Sequence, residues 1–261
     1  MNVFIITDLE GLAGVNDIEY MDRSGEKYSF ARDLLCKSIN LAVGACFDEG
    51  AENVYYLDGH GGGGNVYPEK IDARAKKCSI ADWNDLLKNG KIDCQIELGA
   101  HARAGTLGGF LDHTLSSQKY FSIKVNGIEM SELSLHALVS GAYGVPVVAC
   151  VGDYAACQQA REYIPQIFVG AVKKADIRNV SVDHENADEI LVTCIKEALR
   201  GYESVPIYKA EMPATLELTF YRTDMCEEVL AKAKKHIERV DARTLRRRID
   251  RIQEYGDLKF N

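Results

Sequence analysis

Two carboxylates follow the first apolar segment of the chain. Asp8 and Glu10 come after the run 3–6, whose β-branched and aromatic residues predict a buried β-strand. In open α/β sheets, ligands bind at the carboxyl ends of the strands. Two carboxylates at such a place repel each other and lose hydration, so a cation or a bound proton has to offset them. The pair therefore predicts a metal site whose other ligands lie elsewhere in the sequence.

Histidines follow the next two predicted strands. His60 comes just after the strand 53–57, and His101 comes just after the strand 93–98. Because parallel strands end at the same edge of a sheet, both imidazoles should lie beside the two carboxylates. Mixed imidazole and carboxylate ligands suit Zn²⁺ and, less selectively, another first-row divalent ion. These ligands exceed what one catalytic ion needs, so the pattern is compatible with two ions that share an aspartate at a strand end.

Each part of this pattern also has a plainer interpretation. An Asp-x-Glu triplet after a strand is often turn chemistry or a helix cap, and a single histidine in a glycine-rich loop is more often not a ligand. The glycines at 61–64 would suit a phosphate, but no Gly-Lys-Ser/Thr follows them, so the P-loop interpretation is weak. Similar ligand types after three strands favour the metal site over these alternatives.

The elements that must position these groups alternate along the chain. An amphipathic helix over 26–49 follows the first strand, and strands and helices continue to alternate to about residue 180. Such alternation predicts an α/β fold with a mostly parallel sheet flanked by helices. The weaker pattern that follows predicts a smaller C-terminal subdomain. We therefore divide the chain into a metal-binding catalytic α/β region, 1–180, and a C-terminal region, 181–261, that completes the fold or the oligomer interface.

Further segments complete the predicted layout. Asn126-Gly127 predicts a hairpin turn after the strand 121–125. The basic run Arg243–Arg251 is interleaved with acids, so we interpret it as the solvated face of a C-terminal helix. The remaining predicted elements are helices over 129–143, 153–163 and 186–199, and strands over 145–151, 166–172 and 216–220.

Composition limits the class of protein. The chain of 261 residues is 46% hydrophobic, which suits one α/β domain with a small subdomain. The formal net charge of −8 argues against nucleic acid or an anionic membrane surface as the main partner, and we expect no membrane span. The eight cysteines include no Cys-x-x-Cys pair. Because no export signal precedes the first strand, we expect free thiols and a cytoplasmic protein.

The residues of the predicted site also match a known family. The chain resembles the DppA-type D-aminopeptidases, a family of metallopeptidases, over about residues 1–175. The resemblance rests on widely spaced motifs that occur in the same order, namely Thr7-Asp8-Leu9-Glu10-Gly11, Asp58-Gly59-His60, Gly99-Ala100-His101-Ala102-Arg103-Ala104, His113, and Glu132-Leu133 leading to Gly152-Asp153.

The resemblance implies a site with two zinc ions per subunit. Carried over by position, Asp8 would bridge the two ions. Glu10 and His60 would then hold one ion, and His101 and Glu132 would hold the other. The implied enzyme is a dinuclear zinc-dependent aminopeptidase that hydrolyses short peptides, with D-amino-acid dipeptides as the family's substrate class. The implied nucleophile is a metal-activated water, assisted by a histidine acid/base.

The resemblance also implies a catalytic group and an assembly. His113 matches the family's catalytic histidine. Asp58 looks like a group that orients His60, and its plainer role would be to cap the glycine turn. The family is similar in forming a homo-oligomer, a decamer with an internal channel that admits small peptides. His136 stands four residues beyond Glu132 on the same predicted helix face but has no place in the family's pattern. We interpret it as a packing or surface histidine.

Two other functions remain open from the sequence. The opening Asp8-Leu9-Glu10-Gly11 is similar to that of haloacid-dehalogenase-type phosphohydrolases, which use Mg²⁺. The second acid here is a glutamate, however, and Mg²⁺ prefers oxygen ligands to strand-end histidines. The other alternative is a non-catalytic binding subunit that keeps the metal ligands without turnover. The presence of His113 argues weakly against it.

Overall fold

The strand predicted at the start of the chain lies inside a seven-stranded sheet. This computed structural model describes residues 1–232 and 236–258, so the last three residues of the predicted C-terminal region lie outside the described part. In chain order the strands are β1 (Asn2–Thr7), β2 (Asn53–Asp58), β3 (Ala75–Cys78), β4 (Cys94–Ala100), β5 (Tyr120–Val125), β6 (Ile128–Glu129), β7 (Val147–Asp153), β8 (Phe168–Ile177), β9 (Val180–Asp183), β10 (Ala214–Phe220), β11 (Glu238–Arg239) and β12 (Thr244–Ile249).

The seven-stranded sheet has the order β3-β2-β1-β4-β7-β8-β9. All of its pairings are parallel except that of β8 with the edge strand β9. The predicted fold class, a mostly parallel sheet flanked by helices, is confirmed. Because β1 lies between β2 and β4, the segments that follow these three strands emerge side by side at one edge of the sheet.

Six α-helices connect the strands in the described part of the chain. They are α1 (Glu26–Asp48), α2 (Ile80–Lys88), α3 (Glu132–Ala142), α4 (Tyr154–Tyr163), α5 (Ala187–Arg200) and α6 (Thr223–Lys232). The helices expected after the first strand and around 129–143, 153–163 and 186–199 are confirmed, with small shifts at their ends. The short elements β3 and α2 were not predicted, although Ser79 and Asp82 form a reciprocal capping box at the start of α2.

The sheet separates two hydrophobic cores. Alternate residues of β1 point to opposite faces, as the period of a strand requires. Val3 and Ile5 pack into a core with α1, α4 and α5, whereas Phe4 and Ile6 pack into a second core with α2, α3 and the other sheet. Both faces of the parallel sheet are thus covered, which explains the nearly continuous apolar sequence of its strands.

The second sheet is antiparallel and has the order β11-β12-β10-β5-β6. Its hairpin β5–β6 turns at Asn126 and Gly127, both with positive φ, so the predicted hairpin is confirmed. The division of the chain at residue 180 stays a prediction. In space, this sheet takes strands from both sides of that position, while α5 packs on the parallel sheet.

The prediction of a basic C-terminal helix is wrong. Residues 244–249 form β12, which pairs antiparallel with β10. Leu245, Arg247 and Ile249 are buried on one side, so the segment follows a period of two that its arginines obscured in the sequence. Arg246 lies opposite Glu217 and forms an ion pair with it at 2.8 Å. The basic charge therefore supports a cross-strand pair rather than a helix face.

The described helices and the cysteines add two findings. None of the helices in residues 1–232 and 236–258 is long and apolar enough to cross a bilayer. All eight cysteines fall within these ranges and are free thiols, and seven of them are buried, with Cys78 partly exposed. The expectation of free thiols is confirmed.

Candidate metal centre

The site residues expected from the sequence converge on one cavity of about 850 Å³ at the carboxyl edge of the parallel sheet. The segment after β1 carries two of them, the segments after β2 and β4 carry one each, and Glu132 is the first residue of α3. His113 reaches the cavity from the loop between β4 and β5. The lining residues include all six, namely Asp8, Glu10, His60, His101, His113 and Glu132.

The first group of potential ligands consists of Asp8, Glu10 and His60. Their ligand atoms all lie within 4.8 Å of one another. The Nδ1 atom of His60 is 2.9 Å from Asp8 Oδ1 and 2.9 Å from Glu10 Oε2. Two carboxylate oxygens and one imidazole nitrogen thus point toward a common centre, as in a three-residue divalent-ion site.

The second group consists of His101, His113 and Glu132, whose ligand atoms also lie within 4.8 Å of one another. His101 Nε2 is 3.3 Å from Glu132 Oε1 and 3.2 Å from Asp8 Oδ2. His113 Nε2 is 3.8 Å from Glu132 Oε1. Asp8 therefore presents one oxygen to each group, since its Oδ1 faces His60 and its Oδ2 faces His101.

Hydrogen bonds fix the orientation of the two histidines in the second group. His101 Nδ1 lies 2.9 Å from the carbonyl oxygen of Ala102, and His113 Nδ1 lies 2.9 Å from that of Leu111. A carbonyl oxygen only accepts, so each Nδ1 carries the proton and each Nε2 faces the centre. His101 Nε2 is buried, and no hydrogen bond of good geometry joins it to the two carboxylate oxygens that lie 3.2 and 3.3 Å away. An unpartnered nitrogen facing two carboxylates fits a bound cation.

The pKa shifts of the site residues also indicate a bound cation. Burial alone would raise the pKa of Glu132, but His101 lowers the pKa of that carboxyl to about 2. Asp8 behaves alike, and its two histidine neighbours hold its pKa well below the ordinary value despite burial. For His60, burial acts to lower the pKa, but the charge of Glu10 and hydrogen bonds to both carboxylates raise it to about 11. Buried carboxylates that stay ionised require positive charge between them, which protons or metal ions supply.

Backbone contacts between glycines hold the segments after β1 and β4 together. Gly11 N donates to Gly99 O at 2.8 Å, and Asp8 N donates to Leu98 O at 2.8 Å. A Cβ atom on Gly99, whose φ is +80°, would lie 2.1 Å from Asp8 O, and one on Gly11 would lie 2.1 Å from Ala100 O. Only glycine permits this approach, so the motif glycines place Asp8 against the segment that carries His101.

The backbone on both sides of His113 is unusual. Leu111 has φ +47° and Leu115 has φ +63°, and both are large residues in the left-handed region. Leu115 N donates to Glu132 Oε1 at 2.8 Å, and the His113 ring stacks on His101 with ring centroids 4.0 Å apart. Left-handed non-glycine residues concentrate at functional sites, where the surrounding structure holds them in place. The fold therefore fixes His113 at the edge of the second group.

Asp58 serves the glycine loop rather than His60. Its carboxylate accepts from Asn65 N at 2.7 Å and from Asn65 Nδ2 at 2.8 Å. Asn65 Nδ2 in turn donates to His60 O at 2.6 Å. The expectation that Asp58 orients the imidazole directly is wrong. Because the glycines at 61–64 all have positive φ, the loop needs this anchor, and Asp58 acts on His60 only through the His60 backbone carbonyl.

His136 and Glu97 form a buried pair beside the centre. His136 Nδ1 is 3.1 Å from Glu97 Oε2, and its ring packs on the edge of Trp83. Although burial acts to lower the pKa of His136, the charge of Glu97 raises it above the ordinary value. His136 is thus a partnered packing histidine, as expected from the sequence. Glu97 was missed as a cavity residue, although a glutamate within the buried strand β4 is itself a signal.

Comparisons with known proteins identify the family of the chain. The family model described as D-aminopeptidase matches residues 1–258. A D-aminopeptidase from Bacillus subtilis (strain 168) is 30% identical over 186 residues, and this alignment spans 69% of the chain and 66% of the relative, just under two thirds of the relative's length. The solved structure of the Zn-dependent D-aminopeptidase DppA from Bacillus subtilis, described as a self-compartmentalizing protease, shares the fold. Its TM-score is 0.89 at 23% identity, with 99% of this chain and 95% of that chain covered. The chain therefore belongs to the D-aminopeptidase family of peptidases.

Proposed function

We propose that this protein is a zinc-dependent aminopeptidase that holds two zinc ions per subunit and removes the first residue from short peptides. The observation that carries the proposal is the position of Asp8, which offers one oxygen to each of the two ligand groups. A carboxylate in that position suits a bridge between two ions. Membership of the D-aminopeptidase family and the zinc dependence stated for the structural relative support the choice of metal and reaction.

The side chains divide into two sets of ligands around Asp8. Glu10 and His60 would hold one ion, and His101 and Glu132 would hold the other. Zinc at such a site polarises a carbonyl and lowers the pKa of water toward neutrality. The hydrogen bond from His101 Nδ1 to Ala102 O leaves Nε2 free to act as a ligand, which is the arrangement usual for metal-binding histidines.

His113 is the proposed proton-transfer group. Its Nδ1 donates to Leu111 O, so its Nε2 faces the cavity with a lone pair. From there it would take a proton during attack and return it to the leaving amine, whose departure from a peptide bond needs a proton donor. Because His113 Nε2 is also within reach of the second ligand group, a ligand role is the competing assignment.

The cavity favours a short peptide with free ends. Carboxylates line its inner part, and one of them can pair with an N-terminal ammonium. Two cations other than the histidines line it among the described residues, Lys119 and Arg178. Arg178 is engaged by Asp112 at 3.0 Å, whereas no ion pair is formed by Lys119 with any described carboxylate. Lys119 is thus the proposed partner of a C-terminal carboxylate.

The proposed substrates are dipeptides with a D-residue first, the class associated with the family. We further propose a homo-oligomer, a decamer by resemblance, because the structural relative is described as self-compartmentalizing. Restricted access through an assembly would match the preference for small peptides. The alternative of a Mg²⁺-dependent phosphohydrolase is less consistent with this site, since a histidine stands in each ligand group.

A substrate screen tests the proposal. Zinc-loaded protein is assayed with L,L-, D,D- and mixed dipeptides and with a generic phosphate ester, and the released amine or phosphate is measured. We expect amine release from D-first dipeptides and no phosphate release. Hydrolysis of the phosphate ester alone would refute the peptidase. Preference for L,L-dipeptides would refute the stereochemistry and leave the zinc peptidase intact.

A further inference from the structure

A buried lysine lies directly beneath the first metal-ligand segment. Lys173, on β8, is 2% exposed. Its ammonium donates to three backbone carbonyls, Glu10 O at 2.7 Å, Leu12 O at 3.1 Å and Val15 O. All three acceptors belong to the segment Glu10–Val15, which leaves β1 after Asp8. One side chain from a distant strand therefore holds, by hydrogen bonds, the backbone of the segment that carries Glu10.

The same ammonium contacts the segment that leads to His113. Lys173 Nζ lies 3.9 Å from the centre of the Phe110 ring, a close cation–π contact. Phe110 is fully buried, and its backbone N–H donates to Asp153 Oδ2 at 3.2 Å. Asp153 ends β7 and is itself fully buried. Lys173, Phe110 and Asp153 thus connect the segments that carry one ligand group and the proposed catalytic histidine.

Placing an ammonium here is unfavourable in itself. Burial lowers the pKa of Lys173 to about 7, although the charges of Asp183, Asp153 and Glu10 act in the opposite direction. A methionine would fill a similar volume without that penalty. A methionine could not donate hydrogen bonds to the three carbonyl oxygens that converge on the ammonium. Leaving buried carbonyls without donors costs free energy. Lys173 is therefore explained by its hydrogen bonds, which hold the ligand segment in its curved conformation.

We propose that Lys173 is a positioning residue for the metal centre: it fixes the backbone of Glu10 through its carbonyl and the approach to His113 through Phe110. The inference rests on the proposed zinc site, but it does not depend on the identity of the peptide substrate. A role in folding alone would lower stability without altering zinc binding. A positioning role alters zinc affinity in protein that remains folded.

Zinc titration of the metal-free protein tests the inference. Zinc affinity is measured by competition with a chromophoric chelator for wild type and Lys173→Met, and thermal unfolding of both metal-free forms is recorded in parallel. We expect the affinity for at least one ion to fall by about 10- to 100-fold, the range found when groups that support metal ligands are removed. Lys174→Met is the matched control, because it makes the same change at the next residue of β8, where the side chain is 66% exposed and lies 3.8 Å from Asp176. The control should bind zinc with wild-type affinity.

The outcomes separate the possibilities. Wild-type zinc affinity in folded Lys173→Met, or an equal loss in Lys174→Met, would overturn the inference. Absence of zinc binding in the wild type would instead overturn the proposed function.

If Lys173→Met does not fold, Phe110→Leu takes its place, since it removes the ring and keeps the three hydrogen bonds. We expect that variant to hold both ions with a lower kcat and an unchanged KM, and a wild-type kcat would refute the connection to His113.

Discussion

Asp153 should make the protein less stable as the pH rises from about 4 to about 7. Its carboxyl is fully buried, and burial is the main cause that raises its pKa from the ordinary 3.8 to about 6, against the opposing effects of the Phe110 N–H and Lys173. Between these values the folded protein binds more protons than the unfolded chain. Stability therefore falls as pH rises through this window, and the loss is complete at about pH 7, about one unit above the folded-state pKa.

The size of the effect follows from the two pKa values. The interval between 3.8 and about 6, at about 1.4 kcal/mol per pKa unit, corresponds to about 3 kcal/mol of unfolding free energy. In Asp153→Asn the amide oxygen still accepts the Phe110 N–H and no charge is buried at any pH. The variant should therefore gain about 3 kcal/mol relative to wild type between about pH 4 and about pH 7.

Urea unfolding of metal-free wild type and Asp153→Asn at a series of pH values measures this difference directly. Taking the difference between the two proteins cancels the titration of the groups they share. A stability difference that does not change with pH would show that Asp153 has an ordinary pKa in the folded state. A difference of the opposite sign would show that Lys173 forms a strong ion pair with it.

Three further predictions concern the centre and its cavity. Asp8→Ala should lose both zinc ions, and Glu132→Ala should mainly weaken the binding of one ion, as measured by elemental analysis of the purified variants. Full zinc occupancy in Asp8→Ala would contradict the bridging role of Asp8. His113→Ala should keep both ions and the fold but lose turnover by about 10²- to 10⁴-fold, measured as kcat at saturating zinc, and loss of an ion would make His113 a ligand instead. Lys119→Ala should raise KM about 10- to 150-fold for a dipeptide with a free carboxylate, the range for a lost hydrogen bond to a charged group, and should leave KM unchanged for the corresponding dipeptide amide. Equal effects on both substrates would remove Lys119 from carboxylate recognition.

The convergence of the site could be predicted because it depends on local patterns. Asp8, His60 and His101 each follow a recognisable strand, and neighbouring parallel strands place such residues together. Their motif glycines then have a direct structural meaning, which the contact between Gly11 and Gly99 illustrates. Neither Glu132 nor His113 directly follows a strand of the parallel sheet, so only the family resemblance placed them with these residues.

Features that depend on distant packing could not be predicted in the same way. Lys173 lies more than 150 residues from the segment it binds, and its neighbours in sequence give no sign of the carbonyls above it. Strand β12 was missed because its three consecutive arginines, Arg246–Arg248, hide the two-residue period of the strand and look like a charged helix face. Asp58 was assigned to the wrong partner because a loop anchor and an imidazole partner look identical in sequence.

The backbone contact between Gly11 and Gly99 makes the centre preorganised. The conformational entropy of bringing the ligand segments together is lost when the sheet folds, so little remains to be lost when the proposed zinc ions bind. Many small metal sites form only as their metal binds, and chelation unfolds them. Here the chelated protein should keep its ligand segments in register, and the Gly11 amide should exchange with deuterium equally slowly with and without zinc. Removal of the metal should therefore abolish activity while the ligand segments keep their folded positions.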